Sequence, residues 1–168
     1  MNSEKLKKHM RCLFTYGGMY LVCNSNLLYH ASVPLNEDGS FKHVRIGKKE
    51  YWGHKLLQKT DQLIRTAYFD EDGSKEKNFA LDYMWYMWCG PDAPSFDKDK
   101  MATFERYFIA DKALHKESKG YYYTLRNRAD ICDNILAEFG VEPGPHSHII
   151  NGHVPVKIIK GGRQTAGD

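Results

Sequence analysis

A pair of β-branched residues, Ile149-Ile150, runs directly into Asn151-Gly152-His153, and Pro155 follows before a second apolar run. Few local patterns constrain a chain more tightly. The apolar pair reads as the end of a strand, Asn-Gly stops it, and the proline rigidifies the exit. Glycine permits a close backbone turn at this point. One imidazole, His153, is thereby delivered into a turn at a strand end. Neutral imidazole is the commonest metal ligand, so His153 is a candidate ligand; the plainer reading of the same spacing is a turn histidine in solvent.

The rest of the composition sets broad limits. The chain has 168 residues, which suits one domain with a substantial core. Hydrophobic residues at 42% and charged residues at 27% are ordinary for a soluble globular protein. A net charge of +3 spread over scattered basic residues gives no footprint for nucleic acid. Lys5, Lys7 and Lys8 cluster on an expected helix and read as its solvated face. No run approaches the ~18 apolar residues of a membrane span, and Met1–Lys5 lacks the apolar core of a secretion signal. Cys12, Cys23, Cys89 and Cys132 form no Cys-x-x-Cys pair, so free thiols in a reducing cytoplasm are expected. Aromatic residues reach 13%, which suits a core with a polar cleft; base stacking would need a basic stripe beside them.

Local patterns predict a helix over 3–16, capped by Ser3 and ended by Gly17-Gly18. Met19–Cys23 and Leu27–His30 read as strands joined at Asn24-Ser25-Asn26, with His30 at the far end of the second. Asn36–Ser40 is a turn, and a small hairpin is expected through Val44–Ile46 and Glu50–Trp52. Helical spacing returns over 54–69 and 127–139, with Gly140 as a C-cap. Leu81–Trp88 is apolar and aromatic, is broken by Gly90-Pro91, and its Met84–Trp88 portion reads as core. Ser147–Ile150 and Val156–Ile159 are expected strands. Helices mixed with short strands predict an α+β fold, or α/β mixed.

Several separate blocks resemble the class III fructose-1,6-bisphosphatases, a bacterial branch of the calcineurin-like metallophosphatases. They are Asn151-Gly152-His153-Val154-Pro155-Val156-Lys157, Met19-Tyr20-Leu21-Val22 with Asn26-Leu27-Leu28-Tyr29-His30, and Val33-Pro34-Leu35-Asn36-Glu37-Asp38-Gly39. Met84-Trp85-Tyr86-Met87-Trp88-Cys89-Gly90-Pro91 and Asp99-Lys100-Met101-Ala102-Thr103-Phe104-Glu105-Arg106-Tyr107-Phe108 complete the set. The likeness covers roughly residues 6–160, in family order. It implies part of a two-sheet sandwich flanked by helices over residues 1–160, with 161–168 a divergent, disordered tail. It also implies a cytoplasmic hydrolase of carbohydrate metabolism that cleaves the 1-phosphate of fructose 1,6-bisphosphate in gluconeogenesis, using a divalent metal, manganese. The implied partners are a sugar bisphosphate and the remainder of the enzyme or a second copy, with neither nucleic acid nor membrane.

Family enzymes are several times longer and carry Asp-x-His, Gly-Asp-x-x-Asp-Arg and Gly-Asn-His-Asp signatures. None occurs in these 168 residues; the sole Gly-Asp pair is Gly167-Asp168. The resemblance therefore implies a central-to-late segment cut at both ends. The bridging aspartate, the asparagine ligand and the proton-donating histidine would all lie in the missing motifs. Weak metal affinity and no appreciable phosphatase activity are expected of this chain alone. Two other readings stay open: a non-catalytic metal- or protein-binding module, and a metallophosphatase acting on another phosphoester such as a phosphoprotein.

By matching blocks, His30 and His153 correspond to two family metal ligands on the same ion. With 122 residues between them, only the fold could bring them together. Lys100 and Arg106 are candidates for substrate phosphate, because a guanidinium fork matches phosphate geometry. The competing reading is a charged helix with Phe104 and Phe108 buried one turn apart. Lys157, beside the His153 loop, is a further candidate. His148, five residues before His153, points to the opposite face of a continuous strand and reads as structural. His9, His43, His54, His115 and His146 read as surface histidines, and Cys89 has no flanking base to make it a nucleophile.

Overall fold

The computed structural model describes residues 3–153, so Lys157, the expected strand Val156–Ile159 and the tail 161–168 lie outside the described residues. Within them the chain is α+β. At its centre is a short strand, β2 (Asn26–Tyr29), flanked by β1 (Tyr20–Cys23) and β5 (His148–Asn151). β1 and β2 form an antiparallel hairpin through a two-residue turn. Asn24 (φ 50°) and Ser25 (φ 61°) are both left-handed, as a turn of primed type requires. β5 pairs with β2 in parallel, Asn26 opposite His148 and Tyr29 opposite Asn151. A parallel pair needs a long crossover, and here it runs over residues 30–147.

Alternation along the strands divides the sheet into two faces. Leu27 and Tyr29 are buried on one, and Ile149 packs beside them. Leu21, Leu28 and Ile150 line up across the other, where Leu21 and Ile150 are exposed. The covered face meets the core built by α2 (Gly53–Phe69) and by a helix at Ala129–Glu138, through Leu56, Leu57, Leu63, Ile131, Ile135 and Leu136. A separate hairpin, β3 (Val44–Ile46) with β4 (Lys49–Tyr51), buries Val44 and Ile46 against the same core.

The first helix, α1 (Glu4–Tyr16), is capped as expected: Ser3 Oγ accepts from Leu6 N at 3.3 Å. None of its residues is buried. It is held by Arg65 of α2, which is paired with Asp61 and donates to the Phe14 and Gly17 carbonyls at its C-terminus. The next helix, α3 (Lys75–Cys89), begins six residues before the apolar run and packs along α2.

α3 corrects the expectation of core at Met84–Trp88. Met84, Tyr86 and Met87 pack against the core, but Trp85 is 60% and Trp88 51% exposed. The buried positions Ala80 and Tyr83 lie one turn apart and face α2; Trp85 and Trp88, also one turn apart, lie off that stripe. The reading of Phe104 and Phe108 as buried is corrected too. α4 (Thr103–Phe108) has only six residues, and these two rings are 45% and 80% exposed. They stack on each other with centroids 6.4 Å apart, and Phe104 stacks on Trp85 at 6.0 Å.

Two short elements had no periodic signature: a 3₁₀ turn at Lys112–His115 and α5 (Tyr122–Leu125). α5 buries Tyr122, whose hydroxyl shares a 2.7 Å hydrogen bond with that of Tyr29. Burial pushes both hydroxyls above the ordinary phenol range, so both stay neutral. The last helix, α6 (Ala129–Glu138), ends at Phe139, with Gly140 left-handed (φ 74°) as its C-cap pattern predicts.

Candidate metal centre

The parallel pairing of β2 with β5 fixes the ends of both strands side by side, and each end carries one of the two candidate ligands. His30 follows β2 directly. Gly152 follows β5, and its amide donates to the His30 carbonyl at 2.8 Å, extending the ladder by one bond. The next residue is His153. His30 Nε2 and His153 Nδ1 then lie 3.3 Å apart, with the rings in an edge arrangement and both residues exposed.

The left-handed residue of this turn is His153 itself (φ 62°), which corrects the role given to glycine. Gly152 contributes its amide rather than a positive φ. A non-glycine residue held there costs on the order of 1 kcal/mol or more and persists only where its surroundings impose it. The neighbouring loop is equally fixed. The Ala31 carbonyl accepts from Asn151 Nδ2 at 2.6 Å and from the Tyr123 hydroxyl at 3.3 Å. Ser32 donates its amide to Pro94. His30 is thus bracketed by hydrogen bonds from β5, α5 and the loop after α3.

The separation of the two nitrogens bears on whether a metal fits. Two ligands about 2.0–2.1 Å from one ion are separated by roughly 2.9 Å at a right angle and about 3.4 Å at the tetrahedral angle. The 3.3 Å observed falls in that interval and is also the length of a hydrogen bond between the two rings, whose proton an ion would displace. The donor set fits as well: burial first, then His30 and Lys98, hold the His153 imidazole below its ordinary value, in the neutral form that ligates. Among the described residues no group of three or more His, Cys, Asp or Glu could hold an ion. The described residues thus bring two candidate ligands together and no third.

Lys100 and Arg106 converge, but on the segment 112–117. Lys100 Nζ donates to the Leu114 carbonyl at 3.0 Å, and Arg106 lies 3.3 Å from Glu117 and 3.4 Å from the His115 carbonyl. The cation that acts on His153 is Lys98, which the sequence reading did not single out. It pairs with Glu117 at 2.8 Å, so Lys98, Glu117 and Arg106 form one network. The partner of Lys98 lies 19 residues away, beyond any local spacing rule.

Burial tends to raise the Glu117 carboxyl, but Lys98, the Ala102 amide and Arg106 outweigh it and hold the group below 4.5. Its stabilising contribution is thus present above that value and is lost as pH falls through the lower, folded-state value. We predict that Glu117→Gln costs about 1–2 kcal/mol at pH 7. The difference from the parent chain should shrink as pH falls from 7 through the folded-state value, which lies below 4.5, to an acidic pH beneath it. Urea midpoints at the two pH values measure this, and a difference that grows on acidification would contradict the assignment.

The remaining histidines separate clearly. His148 Nδ1 lies 3.1 Å from Asn26 Oδ1 at the other end of the ladder, which fits a structural role. His54 and His115 are half-buried rather than surface residues. Glu138 accepts from both the amide and the ring of His54, and His115 Nε2 meets the Ile109 carbonyl at 2.8 Å. His9, His43 and His146 are exposed. All four cysteines are free.

Comparison with known proteins identifies the family of the chain. The profile of the family described as Firmicute fructose-1,6-bisphosphatase matches residues 1–167. A protein of Bacteroides fragilis named fructose-1,6-bisphosphatase class 3 is 83% identical over 161 residues, covering 96% of this chain and 24% of that protein. Namesakes from Bacteroides thetaiotaomicron and Clostridium novyi are 81% and 54% identical with the same coverage. The chain thus spans about a quarter of the length of the curated relatives it matches. No solved structure matches it. From its first residue to its last but one it follows a single family pattern, and the chain belongs to the Firmicute fructose-1,6-bisphosphatase family.

Proposed function

We propose that this chain supplies His30 and His153 as two ligands of one divalent metal, manganese, in a longer cytoplasmic enzyme. That enzyme hydrolyses the 1-phosphate of fructose 1,6-bisphosphate in gluconeogenesis. The observation that carries the reading is the 3.3 Å approach of two imidazole nitrogens from strand ends with 122 residues between them. The left-handed backbone at His153 adds to it, since such conformations concentrate at functional sites. A bound divalent ion supplies Lewis-acid stabilisation of charge on a phosphoryl group. This chain's part is to hold the two rings. The Gly152 amide fixes the His30 carbonyl, and Asn151 with Tyr123 fixes Ala31.

Lys100, Arg106 and Lys157 are proposed as substrate-phosphate contacts. Support for Arg106 comes from Glu117, which joins it to Lys98 beside His153. The remaining ligands come from the rest of the enzyme or a second copy. The exposed apolar residues Leu6 and Leu13 on α1, and Leu21 and Ile150 on the sheet, suit such a neighbour.

The test is fructose 1,6-bisphosphate hydrolysis with added manganese. It is run with the chain alone and mixed with a separately expressed polypeptide carrying the three metallophosphatase signatures. Activity is expected only on mixing, and not with His153→Ala. Turnover by the chain alone would refute the two-ligand account. Silence in the mixture, with both parts folded, would favour a binding module.

A further inference from the structure

A cavity of about 170 Å³ lies between the loop that follows β2 and the segments 91–99 and 118–121. Pro34, Leu35 and Phe96 give it apolar walls, and Asp92, Asp97 and Asp99 bring three carboxylates to it. Lys42, Lys98 and Lys119 line it as well. Asp97 is the unusual member. It is 8% exposed, and no cation pairs with it among the described residues: Lys42 is committed to Asp92 at 2.6 Å and Lys98 to Glu117 at 2.8 Å. The two oxygens of a carboxylate offer about four acceptor sites. Those of Asp97 are met, among the described residues, by the amides of Tyr123, at 3.1 Å, and Tyr122. Gly120 lies so close to Oδ1 that a Cβ there would overlap it. Burial, above all, pushes the carboxyl above its ordinary value. Spare acceptor capacity in such a place calls for a donor.

The chemistry of the lining selects among ligands. A bare metal ion does not suit it, because among the described residues no three of His, Cys, Asp or Glu are placed to hold one. An organic cation would meet three ammonium groups. An anion would meet three carboxylates, of which Asp97 has no paired cation to offset it. A neutral, hydroxyl-rich molecule escapes both objections. Its O–H groups donate to carboxylates and accept from ammonium groups, while its C–H faces lie against the apolar walls. The space suits one ring of this kind, since a cavity of about 150 Å³ accepts a benzene molecule. Asp92, on the same lining, has a left-handed backbone (φ 61°). Non-glycine residues keep that conformation only where their surroundings impose it, and such positions concentrate at functional sites.

We propose that this cavity binds a neutral polyol the size of one monosaccharide ring, with the carboxylates of Asp97 and Asp92 accepting its hydroxyl hydrogen bonds. The site is tied to the loop of the first candidate ligand. Pro34 follows His30 by four residues, so their Cα atoms are at most about 15 Å apart. Tyr123, whose amide donates to Asp97, also donates its hydroxyl to the Ala31 carbonyl at 3.3 Å. The proposal goes beyond the metal-site reading and stands without it. It concerns hydroxyl recognition, whereas Lys100, Arg106 and Lys157 concern phosphate.

The experiment titrates the ¹⁵N-labelled chain, freed of metal with a chelator, with fructose. The amide resonances of Gly120 and Tyr123, which donate to the Asp97 carbonyl and carboxylate, are expected to shift together and saturate. That of Gly73, in an exposed loop, is expected to stay in place. Asp97→Asn should weaken the binding about tenfold, because a charged acceptor becomes a neutral one. Asp92→Asn, at a more exposed position, should weaken it several-fold and serves if the first variant does not fold. Methylammonium chloride and sodium phosphate, each titrated alone, are expected to leave both amides in place. No saturable shift with fructose, a shift that survives both substitutions unchanged, or saturation by either salt instead would overturn the proposal. Because neither metal nor turnover enters, those results leave the histidine pair untouched, and a failure of metal binding at that pair leaves the fructose titration readable.

Discussion

His153→Ala lowers the affinity of the chain for manganese by about 100-fold or more, while its stability changes by less than about 0.5 kcal/mol. Groups that merely orient a metal ligand are already worth 10–100-fold, so loss of one of only two ligands lies at or beyond the top of that range. The small effect on stability follows from position. His153 is exposed and lies beyond the last ladder bond, so truncation leaves no cavity. Alanine inherits the same left-handed backbone, so that strain is unchanged. His148→Ala is the control, because His148 sits at the opposite end of β5 against Asn26. Free manganese, measured by electron paramagnetic resonance at fixed total metal, reports both variants. Equal losses for the two would mean that the ion is not held where the rings meet.

Leu27→Ala destabilises the chain by about 3 kcal/mol and weakens metal binding as well. Leu27 is fully buried at the middle of the central strand, paired with Val22 on one side and Ile149 on the other. Removing a fully buried leucine side chain costs about 2–5 kcal/mol through lost burial and the cavity left behind. The second effect arises because His30 and His153 lie just beyond the ends of β2 and β5, whose register sets the 3.3 Å separation. Leu28→Ala, on the less covered face of the same strand, is expected to cost about 1 kcal/mol. Urea unfolding compares the two. Equal losses would show that the sheet is not buried on the side described.

Much of this was readable from local residues. Asn24-Ser25 and Gly47-Lys48 each set a hairpin within a residue or so of its observed ends. Ser3, Gly17 and Gly140 marked helix ends because capping is decided by the few residues at the cap. What was illegible depended on distance along the chain. Nothing local pairs Tyr29 with Asn151 or Lys98 with Glu117; the nearness of His30 to His153 was expected from family resemblance. Aromatic identity misled at Trp85, Trp88, Phe104 and Phe108, since a large ring signals burial only where its helix face has a neighbour. Asn-Gly before His153 suggested a glycine-made turn, yet the strained torsion fell on the histidine. His54 looked like a surface residue because its partner, Glu138, comes from another helix.

The central claim is that these two imidazoles hold one ion, through Nε2 of His30 and Nδ1 of His153. Long-range ¹H–¹⁵N spectra of the histidine rings, recorded while zinc is added to the chain, test it atom by atom. The account predicts that those two nitrogens shift together and saturate with one zinc per chain, while the other ring nitrogen of each residue stays protonated and His148 does not move. Movement of only one of the two rings, or of a different pair of nitrogens, would contradict it.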